Sequence, residues 1–63
     1  MNLKFKVARV SMNLTQKELA KKVEVSRQTI SLIEKNDYNP SLMLCKKICK
    51  QLDKSLDDIF GDD

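Results

Sequence analysis

Apolar residues recur at helical spacing between positions 15 and 35, and polar residues fill the gaps between them. The apolar positions of this stretch are Leu19, Ala20, Val23, Val25, Ile30 and Ile33. Their spacing predicts two short amphipathic helices, the first over about 16–23 and the second after a turn at 24–26. The rest of the chain is expected to pack around this pair of helices.

Polar side chains mark the ends of these two helices. Thr15, followed three residues later by Glu18, forms a capping box in which each side chain bonds the backbone amide of the other residue. Ser26 is placed to cap the next helix through its side-chain oxygen. Between them, Val25 is expected to fill the angle where the helices meet.

Three further helices are predicted around this pair. The first should cover about 3–12, and the fourth should begin near Pro40 or Ser41 and end near Leu52. The inward side of the fourth helix is expected to carry Leu42, Cys45, Ile48, Cys49 and Leu52. The chain is therefore expected to be all-α, with five short helices and no strand.

Short signals complete this outline. Ser55 and Asp58 form a second capping box, which opens the fifth helix. Leu56, Ile59 and Phe60 of this helix are expected to close the core. Asn13 and Asn36 follow the first and third helices, where asparagine tolerates the left-handed conformation that ends a helix.

The first helix carries two apolar stripes, more than one buried face requires. One stripe is Leu3, Val7, Val10 and Leu14, and the other is Phe5, Ala8 and Met12. The simpler interpretation is that a small protein buries most of this helix. The alternative is that part of the first stripe reaches a partner chain.

Length and charge narrow the function. The 63 residues suffice for a single domain, 1–63, whose core is so small that a partner subunit would add useful stability. Residues 1–52 hold eleven Lys or Arg against four acids, whereas 53–63 hold one Lys against five Asp, and together these give the net charge of +3. A basic body attracts phosphates, and an acidic tail at 61–63 is repelled by them.

Other classes of site find little support. There is no histidine, no glycine-rich loop and no grouped metal ligands, so neither an enzyme nor a metal or cofactor site is expected. No apolar run is long enough for a membrane span, and the N-terminus does not read as a signal peptide, so we expect a cytoplasmic protein. No small-molecule ligand is indicated.

The sequence resembles the helix-turn-helix of small phage-repressor and Cro-like regulators, the Xre family. The words VSRQTI, LIEK, YNPSL and LDDIF carry this resemblance, which extends over about residues 5–60. It implies a lambda-repressor-like five-helix domain that binds double-stranded DNA as a transcriptional regulator, with helices two and three as the helix-turn-helix. The family usually has glycine where this chain has Glu24, which predicts a strained turn.

The outer face of helix three is the predicted reading surface. Its residues are Arg27, Gln28, Ser31, Leu32 and Lys35. Arg and Gln can each grip a purine edge with two hydrogen bonds, and a leucine can pack on a thymine methyl group. Base reading is therefore assigned to the first four.

By resemblance, several positions around helix three touch phosphates. These are Gln16, Thr29, Lys35, Tyr38, Asn39 and Ser41. The resemblance also implies a structural ion pair between Arg9 and Glu34, which would fix the orientation of helix three. Lys17, Lys21 and Lys22 have two open interpretations, phosphate contact or plain solubility.

A single reading helix contacts few base pairs, so a homodimer on a palindromic operator is expected. Its candidate interface is helix five with Ile59 and Phe60, and helix one is a candidate addition to it. Repression is the commoner outcome in the family. The main rival is a protein-interaction module, such as an antitoxin or adaptor, that would not need Arg27 and Gln28. Cys45 and Cys49 are interpreted as small core residues, ahead of a redox switch, an intrahelical disulfide or metal binding.

Overall fold

The computed structural model describes residues 1–61, which form five α-helices and no strand. Their bounds are α1 Leu3–Ser11, α2 Gln16–Lys22, α3 Arg27–Glu34, α4 Leu42–Leu52 and α5 Leu56–Phe60. The all-α, five-helix prediction is confirmed. Two residues of the expected acidic tail, Asp62 and Asp63, lie outside the described residues. None of the described helices has the length and apolar character needed to cross a bilayer.

Each of the five helices begins at a polar residue whose side chain accepts a hydrogen bond from the backbone amide three positions later. These N-caps are Asn2, Thr15, Ser26, Ser41 and Ser55. The capping boxes of α2 and α5 are both complete, as predicted. An N-cap of this kind is worth about 1 kcal/mol, which matters for helices too short to be stable alone.

The C-terminal ends of α1 to α4 share one geometry. Each is followed by a non-glycine residue with positive φ, namely Asn13 at 57°, Glu24 at 62°, Asn36 at 63° and Asp53 at 55°. In every case the next amide bonds back to a carbonyl five residues earlier, as in a Schellman motif. The turns at the two asparagines and at Glu24 were expected, whereas the one at Asp53 was not.

The core lies where the inner sides of the helices meet. Its largest fully buried side chains are Phe5, Leu19, Ile30, Ile33, Ile48, Leu52, Ile59 and Val23. Within it α2 packs against α3, and α1 and α4 both pack against α5. Phe5 meets Phe60 edge to face, with ring centroids 6.2 Å apart.

The structure decides between the two stripes of α1. Phe5 and Ala8 are buried, while Leu3, Val7 and Val10 are exposed by 62%, 65% and 53%. The interpretation that most of this helix is buried is therefore wrong. Helix α1 turns one stripe inward because Arg9, which lies beside Phe5 and Ala8 on the helix, pairs with Glu34 inside the protein.

The prediction of the inward side of α4 is also wrong at one position. Leu42 is 63% exposed, because it lies in the first turn of α4 and at the margin of the buried stripe. Leu44 packs against the core in its place, on the side of α4 that faces the turn between α2 and α3. The remaining predicted positions, Cys45, Ile48, Cys49 and Leu52, are buried.

Candidate nucleic-acid interface

The turn between α2 and α3 is held by two backbone hydrogen bonds. The amide of Val25 donates to the carbonyl of Ala20 at 3.0 Å, and the amide of Glu24 donates to that of Lys21 at 3.4 Å. The side chain of Val25 packs against the core, as predicted, and Ser26 then starts α3. The small Ala20, buried beside this turn, lets the two helices approach closely.

The outward side of α3 presents polar groups to solvent. Its inward side is fixed by Ile30, Ile33 and Glu34, which are all buried. Of the residues predicted to read bases, Arg27 and Gln28 are exposed, and Ser31 and Leu32 are half-buried. Lys35, which follows the helix, is exposed as well.

The geometry of α3 suits a duplex groove. Its eight residues span roughly 12 Å, so one copy of the helix can follow about three to four base pairs. Arg27 and Gln28 lie in the first turn, where recognition helices usually contact base edges. The half-buried Leu32 offers one apolar contact further along the same helix.

The predicted phosphate-contacting residues lie at helix ends and in the loop after α3. Tyr38 and Asn39 are exposed in that loop, and Ser41 caps α4 by accepting from the amide of Leu44 at 3.1 Å. The hydroxyl hydrogen of a capping serine can still donate to an anion. Gln16, the first residue of α2, is half-buried.

Thr29 has an additional role that the sequence did not indicate. Its amide donates to Ser26 Oγ at 3.1 Å, and its own Oγ1 lies 2.9 Å from the same oxygen. One of the two hydroxyls therefore donates to the other. Thr29 takes part in capping α3, and a phosphate contact from it would have to share this hydrogen bond.

A buried ion pair joins α1 to α3. Arg9 Nε lies 3.0 Å from Glu34 Oε2, and Arg9 Nη2 donates to Glu34 Oε1 at 3.2 Å, so the pair is bidentate. Arg9 Nη1 also donates to the carbonyl of Leu14 at 2.7 Å. Such pairs fix geometry through several bonds at once, whatever their net effect on stability.

The structure places two of the lysines whose role the sequence leaves open near α3. Lys17 and Lys21 on α2 line a shallow groove together with Arg27, and its apolar floor is formed by Ala20 and Val25. The spacing of one helical turn already places Lys17 and Lys21 on one side of α2, whereas their approach to Arg27 depends on the angle between α2 and α3. Three cations, of which Arg27 is also a predicted base-reading residue, thus line one groove between α2 and α3.

The two cysteines belong to the core. Cys45 and Cys49 are buried, and burial raises the pKa of both thiols above the ordinary value. A buried thiol with a raised pKa is a poor nucleophile and a poor metal ligand. Within residues 1–61, no group of three or more potential ligands is placed to hold a metal ion.

The candidate dimer residues differ in accessibility. Ile59 is only 2% exposed and belongs to the core of its own subunit, so its assignment to a dimer surface is wrong. Its side chain turns inward because the short α5 closes the core against α1 and α4. Phe60 is half-buried and keeps part of its ring accessible.

Comparison with known proteins agrees with this architecture. A family model described as helix-turn-helix matches residues 5–59. An uncharacterized HTH-type transcriptional regulator of Methanocaldococcus jannaschii is 53% identical over 60 residues, which cover 95% of this chain and 91% of that protein. Similar regulators of Archaeoglobus fulgidus and Bacillus subtilis are 47% and 43% identical over 60 residues, again 95% of this chain, and 84% and 91% of their own lengths.

The match reaches into all five helices and contains the whole α2–turn–α3 unit. The protein thus belongs to the helix-turn-helix family of phage-repressor and Cro-like regulators.

Proposed function

We propose that the protein is a transcriptional regulator of the cytoplasm that binds a specific double-stranded DNA sequence, acting as a repressor by occupying an operator. Family membership supports DNA binding in transcription regulation, an activity that works by binding rather than by catalysis. The observation that carries the proposal is the reading face of α3. Arg27 and Gln28 are exposed in the first turn of α3, while the buried Arg9–Glu34 pair holds the last turn of the same helix.

Base reading is assigned to Arg27, Gln28, Ser31 and Leu32. The guanidinium of Arg27 can donate two hydrogen bonds to guanine, and the amide of Gln28 can both donate to and accept from adenine. Lys35, Lys17 and Lys21 supply positive charge around this face and would lie against the phosphates on either side of the groove.

Two copies of the chain are expected on the operator. The longest dimension of the subunit is 28 Å, which is shorter than the roughly 34 Å that separates equivalent half-sites one helical turn apart. A single α3 also reads too few base pairs to select one site in a genome. A homodimer on a palindromic operator meets both requirements, and the accessible part of Phe60 is a candidate contact in it.

The proposal is tested by selecting bound sequences from random duplex DNA at a stated salt concentration. We expect a palindromic motif with half-sites spaced by one helical turn. Binding of the selected duplex and of a scrambled one is then compared for the wild type and two variants. Equal affinity of the wild type for both duplexes would refute sequence-specific binding.

The two variants separate base reading from phosphate contact. Arg27→Ala should lower affinity for the selected site by about 1–3 kcal/mol and relax the preference at one base pair of each half-site. Lys35→Ala should weaken selected and scrambled duplexes alike and reduce the slope of log affinity against log salt by about one. Loss of discrimination in Lys35→Ala but not in Arg27→Ala would contradict these assignments.

A further inference from the structure

The outer side of α1 carries a continuous apolar surface, which we call the α1 stripe and define as Leu3, Val7 and Val10. The three side chains are exposed by 62%, 65% and 53%. Their spacing of four and then three residues places them in one row along the helix, on the side opposite the buried Phe5 and Ala8. Single exposed aliphatic residues are common on proteins, but a row of three large ones is typical of an interaction surface.

The orientation of α1 is fixed, so rotation of the helix cannot relieve this exposure. Turning α1 by half a turn would bury the stripe, but it would also expose Phe5, which is fully buried. The same rotation would withdraw Arg9 from Glu34 and leave a carboxylate buried without its cation. The α1 stripe therefore stays exposed to solvent while the opposite side of α1 is packed in the core.

One border of the α1 stripe is basic. No acidic residue precedes Glu18 in the sequence, and Lys4 and Lys6 border the stripe on opposite sides. On the neighbouring α5, Asp58 is close enough to Lys4 for the lysine charge to help lower the pKa of that carboxyl, after the hydrogen bonds of its own cap. The border at Lys6 therefore gives the stripe its clearest basic edge.

We propose that the α1 stripe docks an amphipathic helix of another protein, one whose apolar row is bordered by Asp or Glu. The four-then-three spacing is the spacing of a coiled-coil seam, which selects a helix as the matching shape. The stripe spans about 10 Å, so two to three turns of a partner helix would cover it. Acidic residues beside the partner's apolar row would meet Lys6 and complete the ionic edge of the seam.

A second copy of α1 fits this surface less well. In an antiparallel pair centred on Val7, Lys6 would lie across the seam from Lys6 of the other copy, and like charges in flanking positions disfavour pairing. The basic edge therefore disfavours this antiparallel self-pairing, whereas an acidic partner gains from the same edge.

Docking on the α1 stripe is compatible with DNA on α3. Helix α1 meets the inner side of α3 through Arg9, and the stripe lies on a different side of α1. Arg27 and Gln28 lie at the other end of α3 from Glu34, so we expect a partner bound on the stripe to leave them uncovered. The surface would thus let an operator-bound regulator recruit a second protein, and this docking function does not depend on DNA binding by α3.

The test uses a synthetic fluorescent helical peptide with leucines at heptad spacing and glutamates beside them. A control peptide carries lysines in place of the glutamates. We expect the wild-type protein to bind the acidic peptide, measured by fluorescence anisotropy, and to bind the lysine peptide at least tenfold more weakly. The proposal is contradicted if the protein binds both peptides with equal affinity, and it is contradicted if the protein binds neither peptide.

Variants locate the binding on the protein. Leu3→Ser/Val7→Ser should weaken the acidic peptide more than tenfold, and Lys6→Glu should weaken it about two- to fivefold while improving the lysine peptide. Lys50→Glu, a matched charge reversal on α4, should change neither affinity. Circular dichroism establishes that each variant is folded, and its binding to the selected duplex measures the DNA function separately.

Two results would overturn the assignment of the partner. If Lys6→Glu leaves both peptide affinities unchanged, charge does not select the partner. If sedimentation shows that Leu3→Ser/Val7→Ser converts a wild-type dimer into a monomer, the stripe is covered by a second copy of the chain.

Discussion

Replacing Glu24 by glycine should stabilise the protein. Glu24 ends α2 with φ of 62°, a conformation in which the Cβ of an L residue lies too close to the following carbonyl oxygen. The residue is exposed, and its backbone alone makes the turn. Glycine can make the same hydrogen bonds without the steric cost.

The magnitude follows from two opposing effects. A non-glycine residue in the left-handed region costs roughly 1–2 kcal/mol, and the added freedom of glycine in the unfolded chain costs about 0.4–1 kcal/mol in return. The net gain should be about 0.5–1 kcal/mol. In a domain of this size, that gain raises the midpoint of thermal unfolding by about 2–8 °C.

Thermal unfolding followed by circular dichroism measures this effect, and two variants control for other causes. Glu24→Ala removes the same charge but keeps Cβ, so it should not raise the midpoint. Asn36→Gly relieves a residue that already tolerates positive φ, so it should gain less than Glu24→Gly. A midpoint for Glu24→Gly at or below that of the wild type would refute the strain argument, and an equal rise in Glu24→Ala would assign the gain to charge.

Three further predictions follow from other contacts. Arg9→Met should lower the free energy of unfolding by about 3–5 kcal/mol, because it leaves the Glu34 carboxylate buried and unpaired. Urea titrations measure this loss. The double variant Arg9→Met/Glu34→Leu should recover most of it, and a surface Lys→Met change should cost little. The capping hydrogen bonds lower the pKa of Glu18, so its stabilising contribution is present above the pKa of the unfolded chain and is lost as pH falls through the lower folded value. The stability difference between wild type and Glu18→Gln should therefore shrink below about pH 4, and a constant difference between pH 7 and pH 3 would contradict it. Cys45 and Cys49 should react with a disulfide reagent at pH 8 more slowly in the native protein than after unfolding, and equal rates would show that the thiols are accessible.

The local structure could be predicted from the sequence because its signals are local. The capping boxes at Thr15 and Ser55 each require only residues three positions apart. The left-handed turns at Asn13 and Asn36 follow from the tolerance of asparagine. Asp53 was missed because an aspartate at a helix end has several possible roles, and only the backbone geometry shows which one it takes.

The misassigned positions depend on how the helices pack. Both stripes of α1 are apolar, so periodicity alone cannot choose between Val7 and Phe5 for the core. The expected pairing of Arg9 with Glu34 indicates which stripe of α1 is buried, because it requires the side that carries Phe5 to face inward. For Leu42 and Ile59, accessibility depends on where the core ends, and helical spacing does not give that boundary.

Some features of the candidate site could likewise be predicted from one helix alone, and others could not. The exposure of Gln28 follows from the period of α3, whose inward residues are Ile30, Ile33 and Glu34. Arg27 lies seven residues before Glu34, on nearly the same side of the helix, so its exposure depends on its place at the start of α3 and not on the period. The groove that joins Lys17 and Lys21 to Arg27 depends on the angle between two helices, which no single helix encodes.

Asn2 fastens the start of the chain to two distant segments. Its backbone amide donates to the carbonyl of Glu34 at 2.8 Å, and its side-chain Nδ2 donates to the carbonyl of Ile59 at 2.9 Å. Its side-chain oxygen caps α1 at the same time. Displacing Asn2 therefore breaks bonds to the last turn of α3 and to α5 at once, so the start of α1 and these two segments should exchange their amide hydrogens together. A tag that displaces Asn2 would loosen the reading helix from a position far away in sequence.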